Sequence, residues 1–137
     1  MRKRTLAREF ALQILYQLDI TRDNCDAVLD NFWLHTEDNV DEAIKNFAND
    51  IVRGVVSNLD AIDAKITQYA VNWHLKRMAV VDRNVLRVSC YELVFRSDIP
   101  PKVSINEAVD MAKKFSGIEA GKFVNGILDK IKQEKKA

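Results

Sequence analysis

Glycine is scarce in this chain, with four residues among 137, none of them grouped. A P-loop or dinucleotide fingerprint needs clustered glycines so that backbone N–H groups can approach phosphates, and both are excluded. Proline occurs only as Pro100-Pro101, which marks one point where a helix must stop. The two cysteines, Cys25 and Cys90, lie in unrelated contexts, and nothing else implies the oxidising compartment that a disulfide requires. His35 and His74 are isolated, and no pair among these four residues has metal-ligand spacing, which argues against zinc. No apolar run approaches the roughly 18 residues of a membrane span. The N-terminus is basic and then apolar, as a signal peptide would be. However, Arg8, Glu9, Gln13 and Gln17 interrupt the apolar stretch and no A-x-A site follows, so it reads as mature, cytoplasmic sequence.

The inventory of catalytic chemistry is equally thin. No nucleophile stands beside a base, and His74 has no Ser or Cys partner at a suggestive spacing. Cys90 lies in the apolar run around Ser89 and Tyr91 and reads as a small core residue. An enzyme is not expected. Strictly alternating β-branched segments and hairpin turns between apolar runs are also missing, so the fold class is all-α.

What the chain does have is helical periodicity. Residues 4–19 carry a core face of Leu6, Ala7, Phe10, Ala11, Ile14 and Leu18. The turn Thr21-Arg22-Asp23-Asn24 leads to a short helix over Asp26–His35. After the loop Thr36–Asn39, with Asn39 and Glu42 as an expected cap pair, a long stripe runs from Ala43 to Leu59, with Gly54 as a close helix contact. Leu59–Tyr69 continues as a further helix, and residues 71–81 form a linker with room for one more turn. Asp82 is expected to cap a helix over Arg83–Phe95, apolar on most faces and therefore central, with Arg83, Arg87 and Tyr91 as its polar ridge. Ser104 and Glu107 fit a capping box that opens a helical hairpin over Val103–Ile131, broken at Gly117. The apolar stripe of its first helix is Ile105, Ala108, Val109, Ala112 and Phe115. The sum is six or seven helices.

The net charge of +1 conceals a segregation. Residues 1–18 carry four basic side chains and one acidic, residues 19–63 three basic and eleven acidic, and residues 113–137 seven basic and three acidic. Arg2, Lys3, Arg4 and Arg8 place positive charge where the helix dipole is already positive, which costs helix stability. This is either an inconsequential basic tail or a phosphate-binding segment.

Four blocks in register carry a resemblance over the whole chain. Met78–Arg87 followed by Tyr91-Glu92-Leu93, Val103–Val109 followed by Ala112-Lys113 and Phe115, and Lys122-Phe123-Val124-Asn125-Gly126-Ile127-Leu128-Asp129 resemble the NusB family of bacterial antitermination factors. Arg4, Ala7-Arg8, Ala11 and Leu15-Tyr16 are similar to that family's first helix. The resemblance implies a single NusB-like RNA-binding domain over 1–137, built from two helical subdomains of about 1–70 and 71–137.

It also implies boxA RNA as a ligand, bound together with a NusE-type small-subunit ribosomal protein. The pair would join NusA and NusG on RNA polymerase, chiefly in ribosomal RNA operons, with the chain itself a monomer or homodimer. No cofactor, metal or membrane is implied. Carried over residue by residue, Arg2, Lys3, Arg4 and Arg8 match the RNA-binding arginine-rich segment, and Glu119, Lys122 and Phe123 match positions near the RNA. Phe123 fits either the core stripe or base stacking. Tyr69, Asp82 and Arg87 match the face that meets the NusE-type partner. Two other readings remain: an accessory domain working with an RNA methyltransferase, and a self-associating helical protein.

Overall fold

The computed structural model describes residues 2–36, 39–71 and 73–134. Glu37 and Asp38 of the expected loop, and Lys135 and Lys136 of the lysine-rich end, lie outside the described residues. Seven α-helices and one 3-10 turn follow in order, with no strand among the described residues: α1 (Lys3–Thr21), α2 (Cys25–Leu34), α3 (Glu42–Ser57), α4 (Leu59–Tyr69), the 3-10 turn (Leu75–Arg77), α5 (Val80–Phe95), α6 (Pro101–Phe115) and α7 (Ile118–Glu134). No helix is long and apolar enough to cross a membrane.

The central position expected of α5 is observed. It packs against α1, α3, α4, α6 and α7, and nine of its sixteen residues are buried. Its apolar side chains Val85, Leu86 and Cys90 are fully enclosed. Burial at this level favours the fold by about 25 cal/mol per Å² of apolar surface removed from water. Gly54 lets α3 approach closely, because a Cβ there would lie 2.2 Å from the ring of Tyr91 on α5.

The helix ends differ from the expected caps, and each difference has a local cause. Asp41, not Asn39, caps α3, its Oδ1 accepting the Ala43 N–H at 2.9 Å. The Lys3 ammonium, 2.7 Å away, and that N–H hold the Asp41 carboxyl below its usual value. Helix α5 begins at Val80, so Asp82 sits in its first turn and makes no capping bond. Helix α6 begins three residues before Ser104, because proline is well suited to the first helical position, where no N–H is needed. The capping box is therefore not formed. Ser104 Oγ instead lies 2.8 Å from Ser89 Oγ in the buried α5–α6 seam, and Glu107 reaches across to α1. Asn24 does cap α2, accepting the Ala27 N–H at 3.1 Å. Gly117 does close α6: at φ +115° its N–H, like that of Ser116, donates to the Ala112 carbonyl, and α7 turns back along α6.

Candidate nucleic-acid interface

The first turns of α1 lie where α1, α3, α5 and α6 converge. Arg2, Lys3 and Arg4 are exposed, Lys3 pairing with Asp41. Arg4 has no ion pair among the described residues. Its guanidinium lies 4.5 Å from the centroid of the Phe47 ring, and those of Arg8 and Arg96 lie 5.2 and 5.5 Å from it. Stacking uses the face of a guanidinium and leaves its N–H edge free for an anion. A cleft of about 330 Å³ bordered by Arg2, Arg4, Pro100 and Val103 opens beside it.

Arg8 is placed differently from its neighbours in the sequence. Matched to the RNA-binding segment, it is in fact interior, with only 2% of the side chain exposed. Its Nε and Nη2 each donate to a Glu92 carboxylate oxygen at 2.8 Å, and its Nη1 lies 3.6 Å from Glu107. Thr5 Oγ1 donates to the same Glu107 carboxylate at 2.6 Å. Arg8 is thus tied to Glu92 and Glu107 and almost wholly buried, at the floor of the same cleft.

At the next residue of α1, Lys114 Nζ donates to both oxygens of Glu9, at 3.0 and 3.1 Å, and lies 5.2 Å from the Phe115 ring. Phe115, expected in the core, is 45% exposed. It closes the end of α6, where the apolar stripe has drifted off the buried face, and with Tyr16 and Val81 it borders a shallow groove of about 310 Å³. Periodicity concealed Phe115 by fitting it into the stripe. The usable signal was its setting, Lys113-Lys114-Phe115-Ser116-Gly117, which is too polar for a core residue.

Glu119 and Lys122 project from the first turn of α7, solvated and 3.5 Å apart. Phe123 is half-buried and meets Trp73 edge to face, centroids 5.6 Å apart. Both rings border a cavity of about 410 Å³, together with Arg77, Glu119 and Asp82. Oδ1 of Asp82 is buried there with no hydrogen-bond partner among the described residues. Trp73 carries no periodicity or motif, and nothing in the sequence pointed to it.

The other two residues matched to a partner face lie elsewhere. Tyr69 donates its hydroxyl to Glu134 at 2.6 Å, joining α4 to α7 beside the Lys65–Glu134 ion pair. Arg87 is buried: Nε and Nη2 clamp Asp63 at 2.8 and 2.9 Å, and Nη1 donates to Asp19 at 3.0 Å. Asp19 also accepts from Arg83 and Asn84. Burial pushes the Asp19 carboxyl up, but these hydrogen bonds and the Arg87 and Arg83 charges outweigh it and hold the group below its usual range. The ridge Arg83–Arg87 is therefore a tie between helices more than an open surface. No group of His, Cys, Asp or Glu among the described residues can hold a metal ion.

Comparison with known proteins identifies the family of the fold. The NusB family model matches residues 5–133. The chain is 46% identical over 129 residues to transcription antitermination protein NusB of Anaeromyxobacter dehalogenans, covering 94% of this chain and 89% of that one. It is 41% identical over 140 residues to the protein of the same name from Thermodesulfovibrio yellowstonii, covering 96% and 93%. Among solved structures, T. maritima NusB superimposes with a TM-score of 0.87 at 39% identity, over 96% of this chain and 91% of that one. A chain from the crystal structure of antitermination factors NusB and NusE in complex with dsRNA gives 0.87 at 30% identity, over 98% of both. With the family model spanning α1 to α7 and the central α5 in place, the chain belongs to the NusB family.

Proposed function

We propose that this chain is a cytoplasmic antitermination factor that binds boxA-like single-stranded RNA together with a NusE-type ribosomal protein. The pair joins RNA polymerase with NusA and NusG, chiefly on ribosomal RNA operons. The family is one of non-enzymatic antitermination factors, so the chemistry is assembly. The observation that carries the RNA reading is that basic and aromatic side chains are exposed both on α1 and around the α6–α7 turn. Arg2 and Arg4, which have no ion pair among the described residues, are exposed at the start of α1, Tyr16 and Phe115 are exposed beside one groove, and Lys122 is exposed next to half-buried Phe123. Guanidinium and ammonium groups supply phosphate contacts, which give affinity and salt dependence without sequence information. Single-stranded RNA is read by stacking and base edges, which exposed rings beside that charge provide.

The partner reading puts the NusE-type protein against Tyr69, at the α4–α7 seam, and against Asp82, with Arg87 bracing α5 through Asp63 and Asp19. The unpartnered Asp82 oxygen supports it, since a buried carboxylate oxygen without a donor is costly and an incoming basic group relieves that cost. Acidic side chains exposed on α2 and α3, Asp26, Asp30 and Asp50 among them, add attraction for a basic protein. The two subdomains, about 1–70 and 71–137, then share α5 as their common core. Titration of boxA-type RNA across a salt series, with and without the NusE-type protein, tests the proposal. Affinity should fall steeply with salt and rise with the partner. Salt-independent binding, or indifference to the partner, would refute it.

A further inference from the structure

The basic arm is built over a buried cluster whose charge has the wrong sign for an RNA site. Arg8 is enclosed by Glu92, which is fully buried, and Glu107, whose side chain is 13% exposed. The cluster therefore carries one more carboxylate than guanidinium, directly beneath residues that are to meet phosphates. As a contribution to the field it opposes RNA binding. As geometry it does something else. The Arg8–Glu92 pair fixes α1 to α5, and Glu107 fixes both Thr5 and Arg8 to α6. With the first two turns of α1 tied to α5 and to α6, Arg4, one turn before Arg8, lies with its guanidinium 4.5 Å from the centroid of the Phe47 ring.

We infer that Glu107, acting with Glu92 through Arg8, is a positioning residue for RNA binding: it docks the first turns of α1 so that Arg4, and not Arg8, meets the phosphates. This rests on the RNA reading above and divides the arginine-rich segment into a part that touches RNA and a part that holds it. Arg8 contributes its fork, not its charge. Lysine has no planar fork and cannot bridge Glu92 through two parallel bonds while reaching Glu107.

The field and the geometry predict opposite signs, which makes the test decisive. Glu107→Gln removes a negative charge near the ligand, so a field effect alone strengthens RNA binding; loss of positioning weakens it, by roughly tenfold for one misplaced charge-assisted contact. The slope of log affinity on log salt falls in this variant, because the contact that is misplaced is a phosphate contact. Arg4→Ala lowers that slope by about 0.7, one phosphate contact on a single strand. Arg8→Lys keeps the charge and should nevertheless bind as weakly as Glu107→Gln. Should Arg8→Lys fail to fold, the apolar pair Arg8→Met with Glu92→Leu restores the core without the cluster, and it should bind RNA weakly with the slope lowered as in Arg4→Ala.

Hydrogen exchange reads the arm without RNA: the amides of Leu6 to Glu9 should exchange faster in Glu107→Gln than in wild type. Unchanged exchange there, or a Glu107→Gln variant that binds RNA as tightly as wild type or more so, overturns the inference. A wild-type chain that binds no RNA at low salt removes the RNA reading instead, and the exchange rates then still decide whether Glu107 positions the arm.

Discussion

Gly54 on α3 and the ring of Tyr91 on α5 occupy the space of a single side chain: a Cβ on Gly54 would lie 2.2 Å from both Cε1 and Cζ. The ring is itself stacked on Phe95, centroids 6.0 Å apart, and cannot simply swing away. Gly54→Ala gains about 1 kcal/mol of helix propensity but forces α3 and α5 apart, an overpacking cost of about 1–3 kcal/mol. Net destabilisation in urea unfolding is expected. Restoration of stability by Tyr91→Ala in the same chain would locate the cause in this contact.

The Arg87 clamp gives a second expectation. Replacing Arg87 with methionine leaves Asp63 and Asp19 facing each other without their shared cation, at a cost of about 3 kcal/mol. Affinity for the NusE-type protein should fall with it. If Asp63→Asn, which spares the surface, lowers that affinity equally, the effect is transmitted through the fold; normal affinity in Asp63→Asn assigns direct contact to Arg87.

The α4–α7 seam should respond to pH at both ends of the scale. Hydrogen bonds from Lys65 and Tyr69 hold the Glu134 carboxyl below its usual 4.5, so the folded state binds fewer protons than the unfolded chain there. That contribution is complete above 4.5 and disappears as pH falls through the lowered value. Lys65 and Tyr69 are both raised, from 10.5 and 10.0, chiefly by their bonds to Glu134. Their contribution is complete below those values and disappears as pH rises through the raised ones. Exchange of the α7 C-terminal amides, corrected for intrinsic pH dependence, should be slowest between about 5 and 9. Glu134→Gln should flatten the profile.

The thiols should differ in accessibility and share low reactivity. Burial pushes the Cys90 thiol up to about 12, and burial followed by the Asp26 charge raises that of Cys25 as well. The thiolate is the reactive form, so both react slowly at neutral pH. A disulfide-exchange reagent should modify half-buried Cys25 first and Cys90 only upon unfolding. Rapid labelling of Cys90 in the native protein would contradict its burial.

Phe115 should matter to RNA and not to stability. At 45% exposure it contributes little to the core, whereas one base stacked on it is worth about 1–3 kcal/mol. Phe115→Ala should leave the melting temperature nearly unchanged and weaken single-stranded RNA binding with an unaltered salt slope. Weakened folding with normal RNA affinity would return Phe115 to the core.

Which elements were legible follows from where their determinants lie. The stripes of α1, α3 and α7 and the Gly117 break are local patterns, and they appear within a residue or two of expectation. Caps were less legible because several polar residues competed for each end. Asp41 displaced Asn39 by one such choice, and Pro101 displaced Ser104 because a proline can begin a helix as well as end one. The ionic ties were illegible in principle. Nothing local in Arg8 or Arg87 distinguishes a buried guanidinium from a solvated one, since the partners Glu92, Asp63 and Asp19 are brought to them only by tertiary packing. The family blocks singled out what periodicity could not, Glu119 and Lys122, unremarkable as helix residues; Glu119 borders the cavity that Trp73 and Phe123 also line.

The bond between Thr5 and Glu107 joins residues 102 apart in the sequence, and that between Arg8 and Glu92 spans 84. During synthesis the arm emerges first and its anchors among the last. At about 5–20 residues per second, α1 waits roughly 5–20 s for the segment that will secure it. Throughout that interval Arg8 is an unpaired, solvated cation on a nascent chain, free to associate with whatever polyanion is nearest, the ribosome included. Completion of α6 withdraws it. The last third of the polypeptide thus converts a promiscuous cationic leader into an ordered surface, and a chain truncated before Glu107 would retain the charge without the geometry.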